Sequence, residues 1–170
     1  MKLKIAVLPG DGIGPEVTNE SIKVLKCIAE KYNHNIELSE GLVGAVAIEE
    51  HNDPYPDTTH DICKNSDAIL FGAIGDPKYD NDPKARVRPE QGLLKMRKKL
   101  GLYANLRPTI IFESLLDMSP IKEDRITGTD ILFVRELTGG IYFGERGRKD
   151  NDNYASVSYT HLTLPTKCSV

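Results

Sequence analysis

The opening of the chain restricts its fold more than any other stretch. Leu3 to Leu8 is mostly apolar, and Pro9-Gly10-Asp11-Gly12-Ile13-Gly14-Pro15-Glu16 follows it directly. The apolar run reads as a buried strand and the glycines as a tight loop. Pro15 suits the first turn of a helix, where its missing N–H costs nothing. Val17, Val24 and Ile28 recur with Leu25 and Ala29 at helical spacing, which predicts a helix to about Lys31, stopped by Asn33 to Asn35. Strand, glycine turn and helix in that order begin an α/β sheet.

The pattern then repeats. Ile36 to Glu40 predicts a short strand and Gly44 to Glu50 a short helix. Pro54 and Pro56 break the chain, and Asp57 or Thr58 is placed to cap the next helix. Asp67 to Phe71 is a third strand, and the second convincing one, followed by a long polar segment from Gly72 to Pro89. A loop of that length in a compact domain is functional or unstructured. Pro89 to Leu100 predicts a helix ended by Gly101. Leu106 to Ile111 and Asp130 to Arg135 read as extended, and Gly139-Gly140 before Ile141-Tyr142-Phe143 gives a hairpin signal. From Glu145 to Asn153 the chain is polar and charged, with no predicted element.

Composition narrows the function classes. The chain has 170 residues, 39% hydrophobic and 28% charged, with a net charge of -3, which is globular rather than disordered composition. It lacks the concentrated basic face of a nucleic-acid binder. The short basic run Lys95, Arg97, Lys98, Lys99 reads as solvated helix surface. No apolar stretch approaches a membrane span, and the amino terminus has no signal-peptide core. Cys27, Cys63 and Cys168 form no CxxC pair and no metal-ligand spacing with a histidine, so reduced cysteines in the cytoplasm are expected.

Few residues promise chemistry. Gly10, Gly12 and Gly14 let a backbone approach a ligand closely, or they simply turn the chain. Their spacing is GxGxG, not the GxGxxG of a dinucleotide fingerprint, and Asp11 and Glu16 beside them would repel a phosphate. An ordinary Rossmann fold is therefore rejected on this loop. Arg97, Arg107 and Arg135 could converge to grip a di-acid through bidentate bonds, or each could make its own salt bridge. Tyr142 could donate a proton, or pack between Ile141 and Phe143. His34, His51, His60 and His161 read as neither catalytic nor metal-ligating. Asp76, Asp80 and Asp82 match no calcium loop and read as loop solvation.

The same residues carry a resemblance. Gly10-Asp11-Gly12-Ile13-Gly14-Pro15-Glu16 is similar to the opening motif of the β-decarboxylating dehydrogenases, the family of the isocitrate, isopropylmalate, homoisocitrate and tartrate enzymes. Phe71 to Asp80, Arg88-Pro89-Glu90-Gln91-Gly92-Leu93-Leu94 with Arg97, Ala104 to Pro108, and Val134 to Gly144 resemble the isopropylmalate branch. Five ordered motifs make the likeness specific across residues 3 to about 155.

The resemblance implies an α/β fold of the isocitrate/isopropylmalate dehydrogenase type, here incomplete and not a Rossmann fold. It implies NAD-dependent oxidative decarboxylation of 3-isopropylmalate to 4-methyl-2-oxopentanoate in leucine biosynthesis, by a cytoplasmic homodimer using Mg2+ or Mn2+. Arg97, Arg107 and Arg135 would bind the substrate carboxylates, Leu93 and Leu94 the isopropyl group, and Tyr142 would be the catalytic proton donor. Leucines fit that branch, because a third carboxylate buried against them would find no partner. Glu90 would lie beside the nicotinamide. Gly72, Ala73, Ile74, Gly75 and Asp76 would line the cofactor cleft, with Ile13 near the adenosine. No metal ligand is expected here, since the family's metal-binding aspartates and its lysine base lie further along the chain.

The expected organisation is residues 1–104 as the first part of a discontinuous cofactor-side domain and 105–156 as the start of a second, substrate and dimerisation domain. Residues 157–170 depart from the family pattern and read as an artefactual tail; without the missing parts the chain is expected to be inactive. Two alternatives stand beside this reading: a tartrate- or malate-type decarboxylating dehydrogenase, and a non-catalytic α/β fragment that binds a di-acid.

Overall fold

Ile5, Ala6, Val7 and Leu8 point alternately to the two faces of one strand, and all four are buried. A strand covered on both faces is central in its sheet, and that is where β1 (Lys2–Gly10) lies. The computed structural model describes residues 1–80, 87–139 and 143, and the backbone of 146–149 and 152–155. It divides into two compact units, Met1–Leu100 and Gly101–Val170.

In the first unit β1 is flanked by β2 (Asn35–Glu40) and β3 (Ala68–Ala73), both parallel to it, in the order β2-β1-β3. Parallel neighbours need crossovers. Helix α1 (Gly14–Lys31) makes the first, and α2 (Ala45–His51) with α3 (Asp57–Lys64) the second. The chain leaves β1 on one side and returns on the other, so the sheet changes winding direction at the carboxyl end of β1. Ligands of open α/β sheets bind at such a point. The core is Ala6, Leu8, Val43, Tyr55, Cys63 and Met96, with Phe71, Ile74, Leu93 and Leu100 packed around it.

After the short α4 (Pro77–Asp80), helix α5 (Glu90–Leu100) closes this unit. Met96 is its buried anchor, and Lys95 and Lys99 fasten it one turn apart. The Lys95 ammonium lies 2.5 Å from Asp53, and that of Lys99 2.5 Å from Asp57. Gly92 permits the close approach, because a Cβ there would stand 2.4 Å from the Pro54 carbonyl oxygen.

In the second unit β4 (Ala104–Ile110) pairs antiparallel with β5 (Asp130–Glu136), joined through a 3-10 turn at Glu113–Met118 and helix α6 (Glu123–Ile126). Pro108 sits opposite Leu132, tolerated because each strand of a two-stranded sheet is an edge. Among the described residues only Ile126 and Leu137 are buried apolar side chains in this unit. β6 (Arg146–Lys149) and β7 (Asp152–Ala155) form a further antiparallel pair.

Several expectations are corrected. β1 runs through Pro9 and Gly10, which were expected in the loop, because β3 pairs as far as Gly10–Ala73. Neither Asp57 nor Thr58 caps α3: Pro56 holds the cap position without a side-chain bond, and the Asp57 carboxylate is drawn to Lys99 instead. Val17, Val24 and Ile28 do not pack in the core; α1 turns Thr18, Ile22, Leu25 and Ala29 inward and leaves those three exposed. The basic run is surface as expected, Lys98 and Lys99 being exposed, but Lys95 and Lys99 are also ion-paired, to Asp53 and Asp57. The charged run from 145 contains β6 and β7, whose pairing rests on backbone hydrogen bonds that composition does not register. Of the expected strand 141–143 only Phe143 is described, and its backbone is helical. Among the described residues no helix is long and apolar enough to cross a membrane.

Candidate functional site

At the carboxyl end of β1 the chain turns through Asp11, whose side chain is 4% exposed. A buried carboxylate needs donors for its lone pairs, and it has three. One oxygen, Oδ2, accepts the Ala45 N–H at 2.9 Å and the Gly75 N–H at 3.1 Å. The other accepts the Val46 N–H at 3.2 Å. Ala45 and Val46 open α2, so Asp11 caps that helix from outside its own sequence and meets its positive end. The Asp11 N–H also donates to the Ala73 carbonyl at 2.7 Å, and its own carbonyl accepts the Gly14 N–H at 2.8 Å. One residue thus ties together the loop after β1, the loop after β3 and the start of α2. The expectation that this acid would face and repel a phosphate is overturned, because the carboxylate is turned inward onto these N–H groups.

The loop Gly72 to Asp76 is half-buried and fastened at several points. Ile74 sends its side chain to the core cluster. Asp76 accepts the Lys78 N–H at 2.9 Å, and the Lys78 ammonium reaches Glu49 of α2 at 2.6 Å. That carboxylate holds the Lys78 ammonium above its usual range. Gly75 has φ +134°, a conformation that side chains other than glycine rarely adopt. A Cβ placed there would stand 3.4 Å from Glu90 Oε1. Gly75 therefore meets Asp11 on one side and the start of α5 on the other.

Helix α5 sorts its residues by face. Gly92, Leu93, Met96 and Leu100 turn to the core and to the Asp53–Asp57 segment. Glu90, Leu94 and Arg97 follow one another at helical spacing on a second stripe. The expected leucine pair is thus divided: Leu93 packs against the core, and Leu94 lies beside Glu90 and Arg97. Arg97 is half-buried and makes no hydrogen bond or ion pair among the described residues.

The second unit holds the other two arginines. Arg135 stands opposite Asn105, and Arg107 Nε donates to Asn105 Oδ1 at 2.7 Å. Alternation puts Arg107, Asn105, Phe133 and Arg135 on one face of the pair. Arg107, Thr109, Phe133 and Arg135 border a shallow depression there. Two cations around an apolar ring could hold a small anion with an apolar part. Glu136, at the end of β5, has its carboxyl held below the usual range by bonds from the Thr138 hydroxyl and N–H.

The structure thus brings Asp11, Gly75 and Glu90 together, with Ile13 exposed on the same loop as Asp11, and it sets Arg107 beside Arg135. Tyr142 lies outside the described residues. Among the described residues no three His, Cys, Asp or Glu side chains could hold a metal ion. Sequence reasoning missed Asp11; its one signal was an acid between two glycines at the mouth of a buried strand.

Fold and motifs are of the kind found in α/β dehydrogenases, and comparison with known proteins makes the family specific. Residues 4–165 match the isocitrate/isopropylmalate dehydrogenase family, and the chain belongs to it. It is 51% identical to the 3-isopropylmalate dehydrogenase of Bacteroides fragilis over 160 residues, 94% of this chain and 45% of that protein. It is 54% identical to the Bacillus subtilis enzyme of the same name over 149 residues, 88% of this chain and 40% of that protein. Among solved structures, a β-decarboxylating dehydrogenase from Thermococcus kodakarensis superposes with TM-score 0.63 at 32% identity, covering 93% of this chain and 41% of its own. Isocitrate dehydrogenase from Methylococcus capsulatus gives TM-score 0.63 at 25% identity, covering 93% and 43%. The chain spans less than half the length of these relatives.

Proposed function

We propose that the whole protein to which this chain belongs is an NAD-dependent 3-isopropylmalate dehydrogenase of leucine biosynthesis. The observation that carries the reading is the junction at Gly75, where the glycine loop, the loop after β3 and Glu90 of α5 meet at the switch point of a parallel sheet. Glycines without a Cβ make room there for a ligand's flat surfaces. Exposed Ile13 offers an apolar contact for the adenosine, and Gly72 to Asp76 line the cleft. Glu90, beside Gly75, is assigned to the nicotinamide end of the cofactor.

The chemistry that NAD would supply when bound is a hydride acceptor for the substrate's 2-hydroxyl carbon. This chain's residues bind and orient. Arg97, Arg107 and Arg135 take the carboxylates, because a guanidinium grips a carboxylate in a bidentate fork. Leu94, aided by Leu93, receives the isopropyl group and leaves an additional carboxylate unpaired, which disfavours isocitrate. Tyr142 gives its phenolic proton to the product carbon after CO2 departs. Mg2+ or Mn2+ would be held by the remainder of the whole protein, as would the base. The whole enzyme works in the cytoplasm as a homodimer, and the 170-residue chain alone is inactive.

The test begins by reading the coding sequence through and beyond codon 156. The continuous product is then assayed for NAD reduction with 3-isopropylmalate, isocitrate and tartrate side by side. Turnover of 3-isopropylmalate is expected to dominate. In that product Arg97→Ala should lower kcat/KM by roughly a hundredfold or more, the loss of a charged, bidentate contact. Dominant turnover of isocitrate or tartrate would refute the substrate assignment.

A further inference from the structure

We infer that Asp11 is a positioning residue for the nucleotide cleft. Through the Gly75 N–H it sets the loop that lines the cleft, and through the Ala45 and Val46 N–H groups it locks that loop to α2. The inference rests on the nucleotide reading above and deepens it.

Three observations lead here. The carboxylate is nearly inaccessible, so it does not itself touch a ligand. Its three N–H donors come from segments distant in sequence, residues 45 and 46 on one side and 75 on the other, and the carboxylate joins the two. Its most consequential donor is Gly75, whose positive φ is adopted at the point nearest Glu90. A loop in such a conformation stays there only when its surroundings fix it. The Asp11 bond is the direct polar restraint on that residue. The Lys78–Glu49 pair is exposed and restrains the loop only three residues later. Without Asp11 the β1–β3 ladder still pairs from Ile5–Ala68 to Gly10–Ala73. What loosens is the loop, not the sheet.

Two substitutions grade the effect. Asp11→Asn keeps one acceptor oxygen, which can serve Ala45 and Gly75 together while its amide faces the Val46 N–H. Asp11→Ala removes all three bonds. On the 170-residue chain, amide hydrogen exchange is measured at Ala45, Val46 and Gly75 and in β1, alongside titration with NAD followed by calorimetry. Expected is a stepwise loss of protection at Gly75 from wild type to Asn to Ala, with β1 unchanged. NAD affinity should fall in the same order, by roughly tenfold for Asn and roughly a hundredfold for Ala, the scale of losing one and then several charge-assisted bonds. If protection at Gly75 falls and affinity does not, Asp11 is only a structural cap and the inference is overturned, while the nucleotide reading stands. If the wild-type chain with a protected Gly75 binds no NAD at millimolar concentration, the nucleotide reading fails and takes this inference with it. If Asp11→Ala does not fold, the Asn variant decides between the same outcomes.

Discussion

The first unit wraps long helices around a parallel sheet, the described part of the second is mostly antiparallel strand, and their interiors differ as much. In Met1–Leu100 the central strand is covered on both faces, and Ala6, Leu8, Ala47 and Tyr55 have no exposed surface. In the second unit the paired strands β4 and β5 show Leu106, Ile110, Leu132, Phe133 and Val134 each more than half exposed. Alternation places Leu106, Pro108, Ile110, Leu132 and Val134 on one face and the two arginines on the other. A parallel sheet needs crossover helices and so brings its own cover. An antiparallel pair needs none, and among the described residues β4 and β5 have no helix laid across either face. The Gly75 junction of the first unit is therefore built on packed ground, whereas the arginine face of the second is carried by a two-stranded antiparallel pair.

The largest expected effect separates the units directly. Leu8→Ala should cost about 2–5 kcal/mol in urea unfolding, the range for emptying a packed core site, whereas Leu132→Ala should change stability by less than about 0.5 kcal/mol. Equal costs would mean that the second unit has an interior after all. Next comes Gly92→Ala, which forces α5 away from Pro54 and should cost about 1–3 kcal/mol through overpacking; an unchanged midpoint would show that α5 is not seated there.

A smaller effect lies in acid. Burial pushes the Asp53 carboxyl up, but the Lys95 ammonium and the Tyr55 N–H together outweigh it and hold the group below its usual 3.8. A lowered folded-state pKa gives stability that is complete above the unfolded value and lost as pH falls through the folded one. Unfolding followed from pH 6 to pH 2, a window chosen to bracket about 4, should lose this contribution only below that usual value. Asp53→Asn should flatten that limb by under about 1 kcal/mol, given a pair one-third exposed and screened by solvent. An acid limb identical in the variant would remove the pair from the account. Smallest of all, Val24→Gln on the open stripe of α1 should leave stability within about 0.5 kcal/mol and improve solubility; a large loss would place a hidden contact on that stripe.

Legibility in the sequence followed the same division. The strand at Leu3 to Leu8, helix α1 and strand β3 were readable because each is a long apolar pattern bounded by glycine or proline. The inner face of α1 was not, since two apolar stripes run along it and only the sheet chooses between them. Ion pairs such as Lys99–Asp57 join residues 42 positions apart, a separation that composition cannot bridge. Gly75 could be assigned from motif likeness, but its meeting with Ala45 and Val46 at one carboxylate could not, because Asp11 acts through backbone N–H groups that any residue supplies.

The most direct test of the account is an amide NMR titration of this chain with NAD. The account predicts shifts confined to Ile13, Gly72 to Asp76 and Glu90, with β4 and β5 unmoved. Shifts centred on β4 and β5, with Gly75 unchanged, would contradict it.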